Sequence, residues 1–275
     1  MDARLQRRIQ RYGWDKAAGS YESSWRAQLA PAQDKLLELA ALQPGEHVLD
    51  IACGTGLVAL PAAEAVGSAG LVLGTDLADN MVAAAASRAQ EARLRHARFA
   101  RMDAEQLELP DTSMDAVLCA LGLMYVPDPL QALREMHRVA KPGGRSVAAV
   151  WGARANCGWA GIFEVVDARV KTEVCPMFFH LGTGGMLERV FEAAGFTSVQ
   201  AVRIRTMLEY ATPEQACEAA FAGGPVALAY SRFSSEMRLE AHDAYLSTIE
   251  TYRHGAGYRI PGEFVVVRGC RPLVQ

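Results

Sequence analysis

Apolar residues fall into short unbroken runs through the middle of the chain and into helical or alternating patterns toward its end. The runs at 48–51, Leu71–Asp76, Ala97–Arg101, Met114–Ala120 and 145–151 are bounded by glycine, proline or polar residues, as strands buried on both faces of a parallel sheet are. Helical spacing between them predicts helices over 56–66, over 81–93 with Asp79 as its cap, and from Pro129 to about 140. Lys141-Pro142-Gly143-Gly144 predicts the turn into the strand at 145. Ahead of the first strand, residues 2–29 predict two short helices, the second carrying Trp14, Ala18, Tyr21 and Trp25 on one face. Residues 34–42 predict a further helix, ended by Pro44-Gly45. Beyond Trp151 the pattern predicts helices at 157–170 and 186–194, a strand at Thr197–Tyr210, helices at 212–222, 225–233 and 235–252, and a last strand at 264–268. Strands alternating with helices predict an α/β fold.

The run at 48–51 carries one acid, Asp50, and passes through Ala52-Cys53-Gly54-Thr55-Gly56 into an apolar helix start. Strand, glycine turn and helix make the first half of a nucleotide-binding βαβ unit. The glycines permit a sharp turn and leave no side chain between main chain and ligand. The helix N-terminus offers free N–H groups to an acidic ligand group. Gly54, Gly56 and Ala59 also satisfy the dinucleotide pattern G-x-G-x-x-A, so a nicotinamide or flavin oxidoreductase competes. The second strand ends in Asp76, a buried carboxylate that ribose hydroxyls would satisfy without neutralising it. The third leads into Met102-Asp103-Ala104, a further strand-end acid suited to a base amino group and foreign to the dinucleotide fingerprint.

With these motifs the chain resembles the class I S-adenosylmethionine-dependent methyltransferases, within them the ubiquinone/menaquinone-biosynthesis-like group. The resemblance runs from about Trp14 to Trp151 and rests on five motifs in order: Trp14-Asp15-Lys16-Ala17-Ala18-Gly19-Ser20-Tyr21, the glycine loop, Thr75-Asp76, Met102-Asp103-Ala104, and Val139-Ala140-Lys141-Pro142-Gly143-Gly144. It implies a Rossmann-like, seven-stranded, mostly parallel sheet with an antiparallel last strand. It also implies N-terminal helices (1–43) closing over the cofactor, a cofactor-binding core (44–152), and a remainder (153–275) completing the sheet. About fifty residues separate the last two predicted strands, an insertion that reads as a helical cap over the substrate side. The implied cofactor is S-adenosylmethionine, leaving as S-adenosylhomocysteine. Its implied binding residues are Tyr21, Asp50, Ala52, Gly54, Thr55, Gly56, Asp76, Leu77, Met81, Met102, Asp103, Ala104 and Cys119. Many relatives carry histidine near position 125, where this chain has Tyr125, and that departure weakens the transfer of a general base.

Bulk properties narrow the partners. At 275 residues and a net charge of −3, one large α/β domain with a cap is expected, and no nucleic-acid partner. The six cysteines show no C-x-x-C, which predicts neither disulfide framework nor metal site and fits a reducing cytosol. No run predicts a membrane span or a secretory h-region. Arg4, Arg7, Arg8 and Arg11 read as the solvated face of a short helix. The oligomeric state stays open, a homodimer included.

A sulfonium methyl is already activated, so alignment is the main task. A base helps only where the nucleophile must lose a proton. The candidate bases are His180, beside Phe178 and Phe179, and Tyr125, ahead of Tyr230, His242 and His254; His137, between Arg134 and Arg138, reads as solvated. The expectation is a methyltransferase acting on oxygen, nitrogen or carbon of a small, largely apolar metabolite. The alternative is a non-transferring protein on the same fold, a cofactor-assisted cyclase or isomerase or a binding module.

Overall fold

The computed structural model describes residues 2–170 and 177–273. Seven strands run in the order β3-β2-β1-β4-β5-β8-β6, formed by β1 (His47–Ile51), β2 (Leu71–Asp76), β3 (Ala97–Arg101), β4 (Met114–Ala120), β5 (Ala140–Trp151), β6 (Thr197–Tyr210) and β8 (Gly257–Cys270). The first five pair in parallel, and β8 lies antiparallel between β5 and β6. A two-residue strand absent from the expectations, β7 (Arg253–His254), hairpins onto β8. Val48 and Leu49 of β1, like Val117 and Leu118 of β4, are fully buried because helices cover both sheet faces. Those helices include α2 (Ala59–Val66), α3 (Asp79–Glu91) and α4 (Pro129–Val139). Asp128 starts α4, its side chain accepting the Gln131 N–H at 3.0 Å with Pro129 in the first turn.

Four local expectations need correction. The two N-terminal helices and the helix at 34–42 are one helix, α1 (Ala3–Ala40), running through Pro31. A proline inside a helix removes a hydrogen bond and costs about 3 kcal/mol. Leu29, Ala32, Leu36 and Ala40, buried on both sides of it, offset that cost. Asp79 is no cap: Ala78 holds the N-cap position without a side-chain bond, and Asp79 pairs with Arg11 and Arg101. Lys141–Gly144 is an irregular stretch inside β5, the register passing from Met114↔Ala140 to Ala116↔Arg145. The last strand begins well before 264, because around Pro261 β8 has only β6 alongside, and a one-sided strand position tolerates proline.

The region after β5 holds α5 (Gly161–Asp167) and α6 (Met186–Ala193), and the predicted helix at 157–170 extends into the first of these. His137 is half-buried against Phe196, not solvated, with ring centroids 5.0 Å apart. The insertion between β6 and β8 folds as α7 (Pro213–Cys217), a π-helical turn at Glu218–Ala222, α8 (Ala227–Tyr230) and α9 (Ser235–Ile249). Its α8 and π-helical turn pack against α1. Among the described residues, no helix is long and apolar enough to cross a membrane.

Two glycines make opposite demands. A Cβ at Gly182 would lie 1.9 Å from the Trp151 carbonyl oxygen and 2.7 Å from the Gly152 Cα, whereas nothing lies within 4 Å of one at Gly19 in α1. Gly182→Ala is expected to lower stability by about 1–3 kcal/mol through overpacking. Gly19→Ala is expected to raise it by about 0.5–1 kcal/mol through reduced unfolded-chain freedom. Urea unfolding of both variants beside the parent measures these shifts.

Candidate cofactor and acceptor cleft

The strand order reverses direction between β1 and β4, and an open α/β sheet places its ligand crevice outside such strand ends. An open cleft of about 110 Å³ lies there. Its floor is backbone under strain: Ala52 after β1 and Leu121 after β4 adopt left-handed φ of 53° and 63°, uncommon for residues with a Cβ. Gly54 and Gly56 turn the chain at φ 54° and 87°. Gly122 brings the two strand ends together, since a Cβ there would meet the Ala52 Cβ at 2.5 Å.

Asp76 is buried at the end of β2, where it organises the loop. Its Oδ2 accepts the Gly54 N–H and its Oδ1 the Ala78 N–H, both at 2.9 Å. Burial pushes its carboxyl up to about 6, against the downward pull of those backbone donors. Asp50 is 1% exposed, and neither carboxylate oxygen has a hydrogen-bond partner among the described residues. Burial and the nearby Asp76 charge push it well above the ordinary carboxylate range, a smaller pull from the Ala59 amide notwithstanding. Two lone-pair-rich buried carboxylates beside a glycine loop fit a ligand that brings hydroxyl donors and positive charge. The half-buried Tyr21 ring stands over this loop, its Cε1 at 3.6 Å from where a Gly54 Cβ would be.

At one end of the cleft Asp103 and Glu105 follow β3, and Arg7 of α1 bridges them, 2.9 Å from Asp103 Oδ2 and 2.8 Å from Glu105 Oε2. Arg7 and Arg11 are thus not a solvated face: the acids at the ends of β2 and β3 take them, Arg11 through Asp79. At the other end three indoles converge, with ring centroids 6.1 Å apart for Trp25–Trp151, 6.2 Å for Trp25–Trp159 and 4.8 Å for Trp151–Trp159. Tyr125 packs edge-on to Trp14 and Phe178 between the two ends.

Of the expected cofactor residues, Tyr21, Ala52, Gly54, Asp76, Leu77, Met81, Met102, Asp103 and Ala104 line this one cleft, as does Tyr125. Asp50, Thr55, Gly56 and Cys119 sit behind its wall. The Thr55 carbonyl accepts from Arg88 at 2.7 Å, and Cys119 is 1% exposed. His180 is exposed on a turn and does not line the cleft. Tyr230 and His242 hydrogen-bond to each other at 2.9 Å in the insertion, and His254 is exposed in β7; none of the three lines the cleft. The insertion reaches the cleft through Gly224 and Pro225. Arg7, Gln10, Leu29 and Trp159 line it without having been singled out. The first three share one face of α1 with Trp14, Tyr21 and Trp25, a periodicity visible only once α1 is taken as one helix.

Residues 48–144 match the methyltransferase domain family. The demethylmenaquinone methyltransferase of Listeria welshimeri is 38% identical over 129 residues, 46% of this chain and 54% of that protein. The same-named protein of Geobacillus kaustophilus is 39% identical over 124 residues, 45% of this chain and 53% of its own. The chain thus spans about half the length of the curated relatives it matches. The crystal structure of the YcgJ protein from Bacillus subtilis superposes with a TM-score of 0.65 at 19% identity, covering 89% of this chain and 99% of the other. A phosphoethanolamine N-methyltransferase of Haemonchus contortus, solved with S-adenosylhomocysteine and phosphomonomethylethanolamine, superposes at 0.61 with 18% identity, over 94% of this chain and 57% of that one. At such identities the superpositions show the fold. Residues 48–144 thus form a methyltransferase domain, carried on the class I, S-adenosylmethionine-dependent fold. S-adenosylmethionine is the cofactor of that class.

The raised Asp76 carboxyl sets a pH dependence. A folded-state pKa near 6, above the ordinary value of 3.8, means that the free protein holds more protons folded than unfolded between those values. Its stability therefore falls as pH rises through that window. A ligand donating to Asp76 favours the carboxylate and expels the proton, so S-adenosylmethionine affinity is expected to fall as pH drops below about 6. Calorimetry at pH 5.5 in two buffers of different ionisation heat should report proton release on binding. Its absence would place Asp76 outside the contact.

Proposed function

We propose that this protein transfers the methyl group of S-adenosylmethionine to a small, largely apolar acceptor with a flat ring. The observation that carries the reading is the division of the cleft into an acidic end at Asp76 and Asp103 and an aromatic end at Trp25, Trp151 and Trp159. The demethylmenaquinone methyltransferase relatives support it.

When bound, the cofactor supplies an electrophilic methyl on a positively charged sulfur. Asp76 would hold ribose hydroxyls while keeping the Gly54 and Ala78 amides in place. Asp103 would accept from the adenine amino group. The unpartnered Asp50 carboxylate, behind the glycine loop, would offset positive charge on the methionine part. Tyr21, over Gly54, would exclude water from the reacting end. The indoles would hold the acceptor ring by apolar burial and edge contacts, fixing its approach at near-attack distance. Tyr125 is placed between the two ends, where a proton leaving an oxygen or acidic carbon would pass, whereas exposed His180 does not line the cleft.

Incubating the protein with methyl-labelled S-adenosylmethionine and a cell extract should move label into a small, organic-soluble product. Label in protein or nucleic acid would overturn the small-acceptor reading. Bound cofactor with no transfer, once the acceptor has been supplied, would leave the non-transferring alternative. Asp76→Asn is expected to weaken S-adenosylmethionine binding about ten- to a hundredfold, the loss of charge-assisted hydrogen bonds. With the acceptor in hand, Tyr125→Phe should lower kcat about tenfold or more if the hydroxyl moves the proton, whereas His180→Ala should stay within about twofold. A reversed pattern in steady-state kinetics would return the base to His180.

A further inference from the structure

Arg7 reaches from α1 to the acids that follow β3, and its bonds are more specific than closing a lid requires. Asp103 Oδ1 accepts the Glu105 N–H at 3.0 Å, and Oδ2 lies 2.9 Å from Arg7 Nε. Glu105, 7% exposed, accepts the Asp128 N–H at 2.9 Å through Oε1 and takes Arg7 through Oε2. Two carboxylates one residue apart, one of them buried, repel each other unless a cation lies between them. We propose that Arg7 is a positioning residue that holds the Asp103 carboxylate in place as a hydrogen-bond acceptor, so that the lid helix makes the cleft select a 6-amino over a 6-oxo purine in its cofactor. The proposal rests on the assignment of Asp103 to the adenine end.

The chemistry follows from lone pairs. An ionised carboxylate accepts only, and each oxygen has room for more than one donor, so Asp103 can hold Arg7 and Glu105 and still accept from an exocyclic amino group. Set against a 6-oxo group, the same carboxylate faces another acceptor and the pair repels. Burial and the Asp103 charge both push Glu105 upward, and Arg7 opposes them. Without Arg7 no cation lies between the two carboxylates, and their repulsion would turn Asp103 away from the position in which it accepts from an amino group and opposes a 6-oxo group. Purine selectivity therefore depends on a residue of α1 that belongs to no strand of the sheet.

Arg11, one turn further along α1, pairs with Asp79 and touches neither Asp103 nor Glu105, so it supplies the control. Binding of S-adenosylhomocysteine and of its 6-oxo (inosyl) analogue would be measured by calorimetry on the full chain and on Arg7→Gln, Arg7→Lys and Arg11→Gln. The parent is expected to prefer the 6-amino ligand by about tenfold or more. Arg7→Gln should reduce that preference to within about threefold, Arg7→Lys should restore most of it, and Arg11→Gln should weaken both ligands by the same factor. Equal weakening of both ligands in Arg7→Gln, with the preference intact, would make Arg7 a latch only and overturn the proposal. A parent that binds both ligands equally would overturn it too. A parent that binds neither would instead overturn the cofactor assignment beneath it.

Discussion

Asp50 and Asp76 lie buried near each other at the ends of adjacent parallel strands, and among the described residues only Asp76 finds hydrogen-bond donors. Burying a carboxylate is expensive unless it is hydrogen-bonded or paired, and two of them raise each other's proton affinity. The glycine loop exists in this form because of that cost. Gly54 turns at positive φ so that its N–H meets Asp76, and Ala52 accepts a left-handed backbone to carry the chain there. Among the described residues, the Asp50 carboxyl is left without a donor.

Helix α1 carries the same logic from end to end. At 1.5 Å of rise per residue, the 22 residues from Arg7 to Leu29 span about 33 Å, enough for one helix face to follow the whole cleft. Its first turns present arginines to the strand-end acids, its middle places Tyr21 over the glycine loop, and its later turns add Trp25 and Leu29 to the aromatic end. Arg88 of α3 extends the connection, bonding the Thr55 carbonyl at 2.7 Å and Glu22 of α1 at 2.8 Å. Opening α1 would therefore break ion pairs at one end and expose aromatic surface at the other. The insertion packs on this helix and reaches the cleft at Gly224 and Pro225.

The chain sequence by itself determined the sheet. Val48, Leu49, Val72, Val117 and Val147 belong to runs that a doubly covered parallel sheet buries; the bounds of β2, β3 and β4 follow from that pattern, and those of β6 from its alternation of charged and apolar residues. Strand-end acids and glycines announced one wall of the cleft as well, because their chemistry is local: Asp76 and Gly54 lie 22 residues apart, within one βαβ unit. What only the tertiary structure decided involves partners distant along the chain. Pro31 argued locally for a break, yet burial of Leu29 and Leu36 against the core holds α1 continuous. Arg7 resembled a solvated charge until Asp103 and Glu105, 96 and 98 residues away, came beside it. Trp25, Trp151 and Trp159 come from different elements, and no periodicity connects them. Local backbone preference and hydrophobic period are written along the chain, whereas ion pairs and a ligand wall depend on which surfaces meet, and that is settled only when the core packs.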